Sequence, residues 1–327
     1  MPQQNRKTVP DMDDFHPLYL RLSVTERCNL RCAYCRPQTG EKGMMRGSTL
    51  SDAEILGLLD LVGSALPIDK LRITGGDPLL RPRLPVLVKK IRRRFPSTLL
   101  VATTNGLLLG RQAEELRSAG LDSLNVSLDT LDPRVFARLC GIDGLQSVLQ
   151  GLKSARRAGF GKIRINTVLL RSANGGTLHD LFRFAGNEDF ELRLIELMPI
   201  GVAAEIFDQE FFSAGEALEM LSLRFGVPRS LGLSGTAERY LFPNGQVLGL
   251  IRTQSAPFCA SCNRLRLDSR GWLYPCLHDY EGIDLFALWR SGRPEEAISE
   301  IRRAHGTPGV KRPIKDWTSR PMIRIGG

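Results

Sequence analysis

Six of the chain's seven cysteines stand in two tight triplets. Cys28, Cys32 and Cys35 form a C-x3-C-x2-C run within TERCNLRCAYCRP, and Cys259, Cys262 and Cys276 form C-x2-C-x13-C within FCASCNRLRLDSRGWLYPCLH. Each triplet is one thiolate short of the four ligands of a closed metal site. The first has no histidine nearby, so a structural zinc ion there would need a distant ligand. The second has His278 close by, and a Cys3His zinc site is its competing assignment. The other chemistry open to three thiolates is a [4Fe–4S] cube, whose fourth iron keeps a coordination site for an exogenous ligand. In that reading the missing cysteine is the functional feature. Cys140, in VFARLCGI, reads as a small buried hydrophobe.

Such sites need a frame, and the sequence supplies an alternating one. Strand-like segments rich in β-branched and apolar residues recur at 18–24, 70–75, 98–104, 123–128, 162–170 and 192–197. Helical patterns lie between them: one opening on a capping box at Ser51 and Glu54, then 84–95, 110–120, 145–159 and 178–186. This alternation predicts an α/β fold with a parallel sheet and helices on its faces, open or curled into a barrel. Ligand sites of such folds lie at the carboxyl ends of the strands. The first triplet follows the first strand, TGGDP (74–78) the second, TTNG (103–106) the third and SLD (127–129) the fourth, with Asn166 and Met198 near the ends of the fifth and sixth. Beyond Pro199 come a helix over 213–226, with a capping box at Ser213 and Glu216, a glycine-rich hairpin-like stretch (231–253), the second triplet, and the tail RPMIRIGG.

Composition narrows the classes. The 327 residues are 42% hydrophobic and 24% charged, which is globular, and no apolar run reaches the ~18 residues of a membrane span. The amino terminus is polar and lacks the apolar core of a signal peptide, so clustered cysteines point to metal or redox chemistry in a reducing cytoplasm. The charge of +10, from 45 Lys+Arg against 35 Asp+Glu, calls for an anionic partner: nucleic acid, a membrane surface or a polyphosphate. KKIRRR (89–94) reads as a solvated helix face, and no nucleic-acid-binding motif is present.

With Tyr34 before its third cysteine, the first triplet resembles the signature of the radical S-adenosylmethionine (SAM) superfamily. LRLSVTERCNLRCAYC, RITGGDPLLR, TTNGLLL, LNVSLD, RINTVLL, IELMPIG, FCASCNRLRL and the terminal Gly-Gly together resemble the GTP 3′,8-cyclase family of molybdenum cofactor biosynthesis, from about residue 18 to 327. That resemblance implies an incomplete (β/α)6-type radical SAM barrel over 18–200, after an N-terminal extension (1–17). A C-terminal region (201–327) would carry the auxiliary cluster and the Gly-Gly tail.

The resemblance implies two [4Fe–4S] clusters, one on Cys28, Cys32 and Cys35 and one on Cys259, Cys262 and Cys276. The first would bind SAM and reductively cleave it to methionine and a 5′-deoxyadenosyl radical. That radical would take the 3′ hydrogen of GTP, whose ribose radical would attack C8 of guanine, and the second cluster would bind the guanine. The implied product is (8S)-3′,8-cyclo-7,8-dihydroguanosine 5′-triphosphate, and the implied reaction is the first step of molybdopterin synthesis. Implied SAM contacts are Tyr34, Gly76, Ser127 and Met198. Implied GTP contacts are Arg21, Arg72, Thr103, Arg164, Arg264, Leu265 and Arg266, with Arg21, Arg264 and Arg266 catalytic. Implied partners are an electron donor such as flavodoxin or ferredoxin, a downstream cyclic pyranopterin monophosphate synthase and a second copy of the chain, with neither membrane nor nucleic acid. Two positions depart from the family pattern: Asp77 stands where Glu is usual and Arg164 where Lys is usual. The rival readings are a peptide-maturase type of radical SAM enzyme and a zinc-stabilised nucleic-acid-binding protein.

Overall fold

β1 (Leu18–Ser23) shows how the sheet sorts its residues: Leu18, Leu20 and Leu22 are fully buried among helix side chains, while Tyr19, Arg21 and Ser23 point to the other face. A computed structural model of the chain describes residues 17–35, 49–259, 262–278 and 281–306. The Gly-Gly tail, the MIRI segment before it and residues 1–16 lie outside the described residues.

From β1 the chain alternates through α1 (Asp52–Ala65), β2 (Ile68–Thr74), α2 (Leu84–Arg94), β3 (Leu99–Thr104), α3 (Leu109–Ser118) and β4 (Ser123–Ser127). It continues through α4 (Pro133–Cys140), α5 (Leu145–Arg157), β5 (Ile163–Leu169), α6 (Arg171–Asn174), α7 (Leu178–Asn187) and β6 (Glu191–Glu196). β1 to β6 pair in sequence order and all in parallel. Every crossover between these strands runs through helix, and apolar helix faces bury the leucine side of the strands. The capping box of α1 is formed: Ser51 Oγ accepts from the Glu54 amide, and Glu54 Oε2 accepts from the Ser51 amide. Strand limits fall within two residues of those expected from sequence.

The C-terminal third completes both margins of the sheet. After α8 (Ala203–Glu210) and α9 (Ala214–Phe225), the hairpin-like stretch is a meander of three strands, β7 (Arg229–Ser234), β8 (Ala237–Leu241) and β9 (Val247–Ile251), and β9 joins β6 in parallel. β10 (Arg264–Leu267) then crosses to the far side and pairs in parallel with β1, followed by β11 (Trp272–Tyr274) and β12 (Ile283–Asp284). The twelve strands run β12-β11-β10-β1-β2-β3-β4-β5-β6-β9-β8-β7, and α10 (Leu285–Arg290) and α11 (Pro294–Gly306) cover the β1 side against α1. Several elements go beyond the sequence reading. α4 was not anticipated; Pro133 opens it and the Asp132 carboxylate accepts from the Arg134 and Val135 amides. β10 was not anticipated either; R-L-R-L alternates with the pleat, so Arg264 and Arg266 share one face and Leu265 and Leu267 the other.

Candidate active site

The first triplet sits on the loop that leaves β1, and the turns after the neighbouring strands hold that loop in place. The Gly76 amide donates to Thr25 O at 2.8 Å and the Asp77 amide to Arg27 O at 2.7 Å. A Cβ on Gly76 would collide with the Arg27 carbonyl, so only glycine lets the TGGDP turn dock this closely. Asn105 donates from Nδ2 to Asn29 Oδ1 at 2.8 Å and lies 3.8 Å from Cys28 Sγ. From the opposite side, Arg31 and Ala33 amides donate to the carbonyls of Cys140 and Leu139 at the end of α4, each at 2.9 Å. Tyr34 Oη donates to Asp129 Oδ2 at 2.7 Å, and Asp129 Oδ1 accepts from the Val168 amide at 2.8 Å.

Asp77 has an internal role. Oδ1 accepts from the Leu79 amide at 2.9 Å, and Oδ2 accepts from Thr104 Oγ1 at 2.8 Å and the Asn105 amide at 2.6 Å. Both oxygens thus tie the turn after β2 to the turn after β3, and burial pushes the carboxyl up to about 6 against these bonds. Gly76, Ser127 and Met198 follow or close β2, β4 and β6, which places them with Tyr34 on one rim of the parallel strands. On that rim Asn166 is paired in register with Ser127, and its Oδ1 is buried with no hydrogen-bond partner among the described residues. Such an acceptor suits a ligand donor.

Behind the rim, the polar face of the sheet carries a band of buried cations. Arg21 lies between Arg72 and Arg266 in register across β2, β1 and β10, and all three are buried. Arg72 Nη1 donates to Thr103 Oγ1 at 3.1 Å, and Asn125, with its amide oxygen turned to the guanidinium, accepts from Arg72 Nη1 at 2.9 Å and Nη2 at 3.2 Å. Arg164 is the register partner of Asn125, with Nε 3.6 Å from Glu191 Oε1. Arg193 binds Glu191 Oε1 through Nε and Nη2, each at 2.6 Å, and Arg239 Nη2 reaches Glu191 Oε2 at 4.0 Å.

Crowding shifts the acidities of these groups. Burial, then the Arg193 charge, brings Arg164 down to about 10, while burial and neighbouring guanidinia hold Arg266 well below its ordinary value. Burial opposes ionisation of Tyr19, yet Arg72, Arg21, Lys70 and Arg264 together outweigh it and lower the phenol to about 8. Lys70 stands 4.7 Å above the Tyr19 ring and is itself brought to about 8, first by burial.

The band ends at the second triplet. Arg264 Nε approaches Cys262 Sγ at 3.4 Å and its guanidinium stacks 4.6 Å over Phe258. Burial raises the Cys262 thiol, but the Arg264 charge and hydrogen bond carry it below the ordinary value, which favours the thiolate form in which cysteine ligates metals. The first triplet differs: burial pushes Cys28 up to about 11, and the Cys140 hydrogen bond and burial raise Cys32, so those thiolates wait for a metal charge. His278 Nδ1 lies 3.8 Å from Cys276 Sγ. Among the described residues, no group of three or more His, Cys, Asp or Glu side chains gathers into a site that could hold a single metal ion. A cube asks for a different spacing, with each thiolate on its own iron.

Every expected site residue therefore lies on the rim, on the cationic face or at the second triplet, except the side chain of Leu265. That side chain is paired with Leu20 and buried in the helix-side core, leaving only its peptide groups for a ligand. Sequence reasoning missed Tyr19, Lys70, Asn125, Glu191, Arg193 and Arg239. Arg193 is placed by the register, which pairs it with Asn166 of the preceding strand.

Residues 22–185 match the radical SAM superfamily and residues 190–307 match Molybdenum Cofactor Synthesis C. The GTP 3′,8-cyclase of Streptomyces coelicolor is 39% identical over 317 residues, covering 94% of this chain and 93% of that protein. That of Peptoclostridium acidaminophilum is 36% identical over 313 residues, covering 94% and 95%. Among solved structures, Streptococcus suis SuiB bound to S-adenosylmethionine superposes with a TM-score of 0.59 at 16% identity, over 88% of this chain and 68% of that one, a likeness of fold alone. By its two matched regions and its relatives over nearly its full length, the chain belongs to the radical SAM superfamily and, within it, to the GTP 3′,8-cyclase family.

Proposed function

We propose that the chain converts GTP to (8S)-3′,8-cyclo-7,8-dihydroguanosine 5′-triphosphate, the first step of molybdenum cofactor biosynthesis. The observation that carries this reading is the band of buried guanidinia that begins at Cys262 and Cys276 and crosses the sheet through Arg266, Arg21, Arg72, Arg164 and Arg193. Guanidinia gathered on one buried face suit an anionic ligand, and arginine forks fit the oxygens of a triphosphate.

The residues fit the groups this family uses. Membership implies SAM and a [4Fe–4S] cluster, which Cys28, Cys32 and Cys35 would hold; Cys259, Cys262 and Cys276 would hold the second. When bound, the first cluster supplies the electron that cleaves SAM and the second an open iron for the purine. The chain's own groups do the rest. Gly76 offers main chain at close approach, Ser127 and Asn166 offer a hydroxyl and an amide oxygen, and Tyr34 and Met198 border the same rim. Arg72, Thr103 and Arg164 orient the triphosphate, while Arg21, Arg264 and Arg266 stand nearest the second triplet and stabilise charge on the reacting nucleotide.

We infer further that residues 18–200 act as the SAM-cleaving part and the later residues as the substrate-holding part, in a cytoplasmic homodimer. Its electron donor is of the flavodoxin or ferredoxin type, and its product passes to cyclic pyranopterin monophosphate synthase. No helix among the described residues is long and apolar enough to cross a membrane. The test is anaerobic incubation with dithionite, SAM and GTP. The expected result is 5′-deoxyadenosine together with a cyclised nucleotide, on a protein carrying about eight irons. Zinc without iron, or SAM cleavage indifferent to GTP, overturns the reading.

A further inference from the structure

Glu196, the last residue of β6, is fully buried, yet it lies outside the cationic band. Four neutral donors converge on its carboxylate. Oε1 accepts from the Ala214 amide at 3.0 Å and Ser255 Oγ at 2.6 Å; Oε2 accepts from the Gln254 and Ser255 amides at 2.9 Å each. Its own carbonyl accepts from Thr253 Oγ1, also at 2.9 Å. Burial raises the carboxyl, but these bonds prevail and hold it below the usual carboxylate range.

The bonds join three segments far apart in sequence: the end of β6, the first residue of α9, and the loop that leaves β9 toward the second triplet. Met198 follows Glu196 by two residues, and Cys259 follows Ser255 by four. One carboxylate thus ties the strand end that leads into the SAM rim to the chain that leads into the second triplet. The Gln254 and Ser255 amides of the loop are both fixed to it, so the loop's position depends on the acceptor it surrounds. An anion is required for this. A glutamine would turn its own donor toward amides that have no other acceptor there, leaving buried groups unpaired.

We propose that Glu196 is a positioning residue that sets the second triplet, and the nucleotide held there, at a fixed place relative to the SAM end of the sheet. This rests on the function proposed above. Hydrogen transfer from ribose to the 5′-deoxyadenosyl carbon needs the two reacting atoms in near contact, and a displacement of about 1 Å can cost on the order of a hundredfold. Loosening the clamp should therefore separate SAM cleavage from nucleotide cyclisation without abolishing cleavage.

The experiment compares Glu196→Gln, Glu196→Asp and Ser255→Ala, prepared anaerobically as full chains. Two readouts are taken: cyclised nucleotide formed per 5′-deoxyadenosine, and amide hydrogen exchange over residues 252–258. In Glu196→Gln the ratio should fall about tenfold or more while 5′-deoxyadenosine still forms, and the Gln254 and Ser255 amides should exchange at least about tenfold faster. Glu196→Asp, which keeps the charge, should recover part of both. Ser255→Ala, which removes one donor and leaves the fold intact, should move both in the same direction by about twofold to fivefold. A wild-type ratio and wild-type exchange in Glu196→Gln, or in Ser255→Ala should the first variant not fold, overturn the clamp. If the parent protein makes no cyclised nucleotide, the proposed function fails on its own, and the exchange rates still decide the clamp.

Discussion

Tyr34 and Asp129 share a hydrogen bond of 2.7 Å that fastens the cysteine loop after β1 to the segment after β4. Burial pushes the Asp129 carboxyl up to about 6 and Tyr34 well above its ordinary value, so at neutral pH a buried carboxylate depends on this phenol.

Tyr34→Phe should therefore cost about 1–3 kcal/mol at pH 7.5, the penalty for a buried charged acceptor left short of a donor. A carboxyl raised in the folded state contributes stability in full below its ordinary pKa and loses it as pH rises through about 6. The variant's deficit should then shrink at pH 5.5, where the carboxyl is largely protonated. Asp129→Asn should remove most of the pH dependence. Urea unfolding at both pH values checks this; equal deficits at the two values would refute it.

Gly76→Ala should disturb the first triplet from a distance. The new Cβ would meet the Arg27 carbonyl, with the carbonyl carbon at 2.6 Å, so residues 25–27 must shift and carry Cys28 with them. SAM affinity should fall about tenfold or more while the second triplet keeps its iron. Gly161→Ala, where a Cβ meets nothing within 4 Å, is the control and should bind SAM normally. Equal binding by both variants sinks the argument.

The cysteine assignments separate cleanly. Cys32→Ala should abolish 5′-deoxyadenosine formation, because losing a thiolate exposes a further iron and destabilises the cube. His278→Ala should leave the iron content at the parent value. Iron loss from the second triplet in that variant, read by Mössbauer spectroscopy, would instead make the histidine a ligand.

Arg266→Ala should weaken GTP binding by roughly tenfold to 150-fold, the equivalent of about 1.5–3 kcal/mol for a charged hydrogen bond. Iron content should not change. Arg193→Ala should weaken binding too, but it also strips Glu191 of its two closest ion-pair contacts. That second variant should also lose thermal stability. Normal GTP binding in both excludes the band as the triphosphate site.

The same band sets a pH response. Tyr19 and Lys70 both titrate at about 8 in the folded protein, below their ordinary values. Between about pH 8 and 10 the folded chain gives up protons that the unfolded chain keeps, so stability of the protein without GTP should rise. Over that interval a phenolate appears and an ammonium disappears among Arg21, Arg72 and Arg264, and both changes oppose a triphosphate. GTP affinity should fall as stability climbs, with a shallower fall in Tyr19→Phe. Titration calorimetry at pH 7, 8 and 9 decides it; affinity that is flat across the series contradicts the prediction.

The strands were legible because each presents an apolar face at period two and ends in a glycine or polar turn, as KLRITGG and TLLVATTNG do. The rim followed from the rule for parallel sheets. β10 was hidden: its four residues are too few for a periodic signal, and its partner β1 is at the other end of the chain. Asp77 and Glu196 were opaque for another reason. A buried carboxylate declares itself only through the donors around it, and those donors are backbone amides from segments that sequence does not place together. Glu191 and Arg193 likewise read as strand charges until the register sets them on the inner face.

The pairing of β1 with β10, from Tyr19 with Arg264 to Leu22 with Leu267, has a consequence for how the protein is made. The ribosome delivers β10 more than two hundred residues after β1, so one edge of β1 keeps unpaired amides and carbonyls while the intervening residues are made. Domains assemble from the amino end as they emerge, and an open edge of this kind invites pairing with other chains. β10 is flanked by Cys262 and Cys276, so the strand that closes this edge also draws the second triplet together. Assembly of the second triplet is thereby deferred until β10 has been made, whereas the first triplet, on the loop after β1, is complete more than two hundred residues earlier.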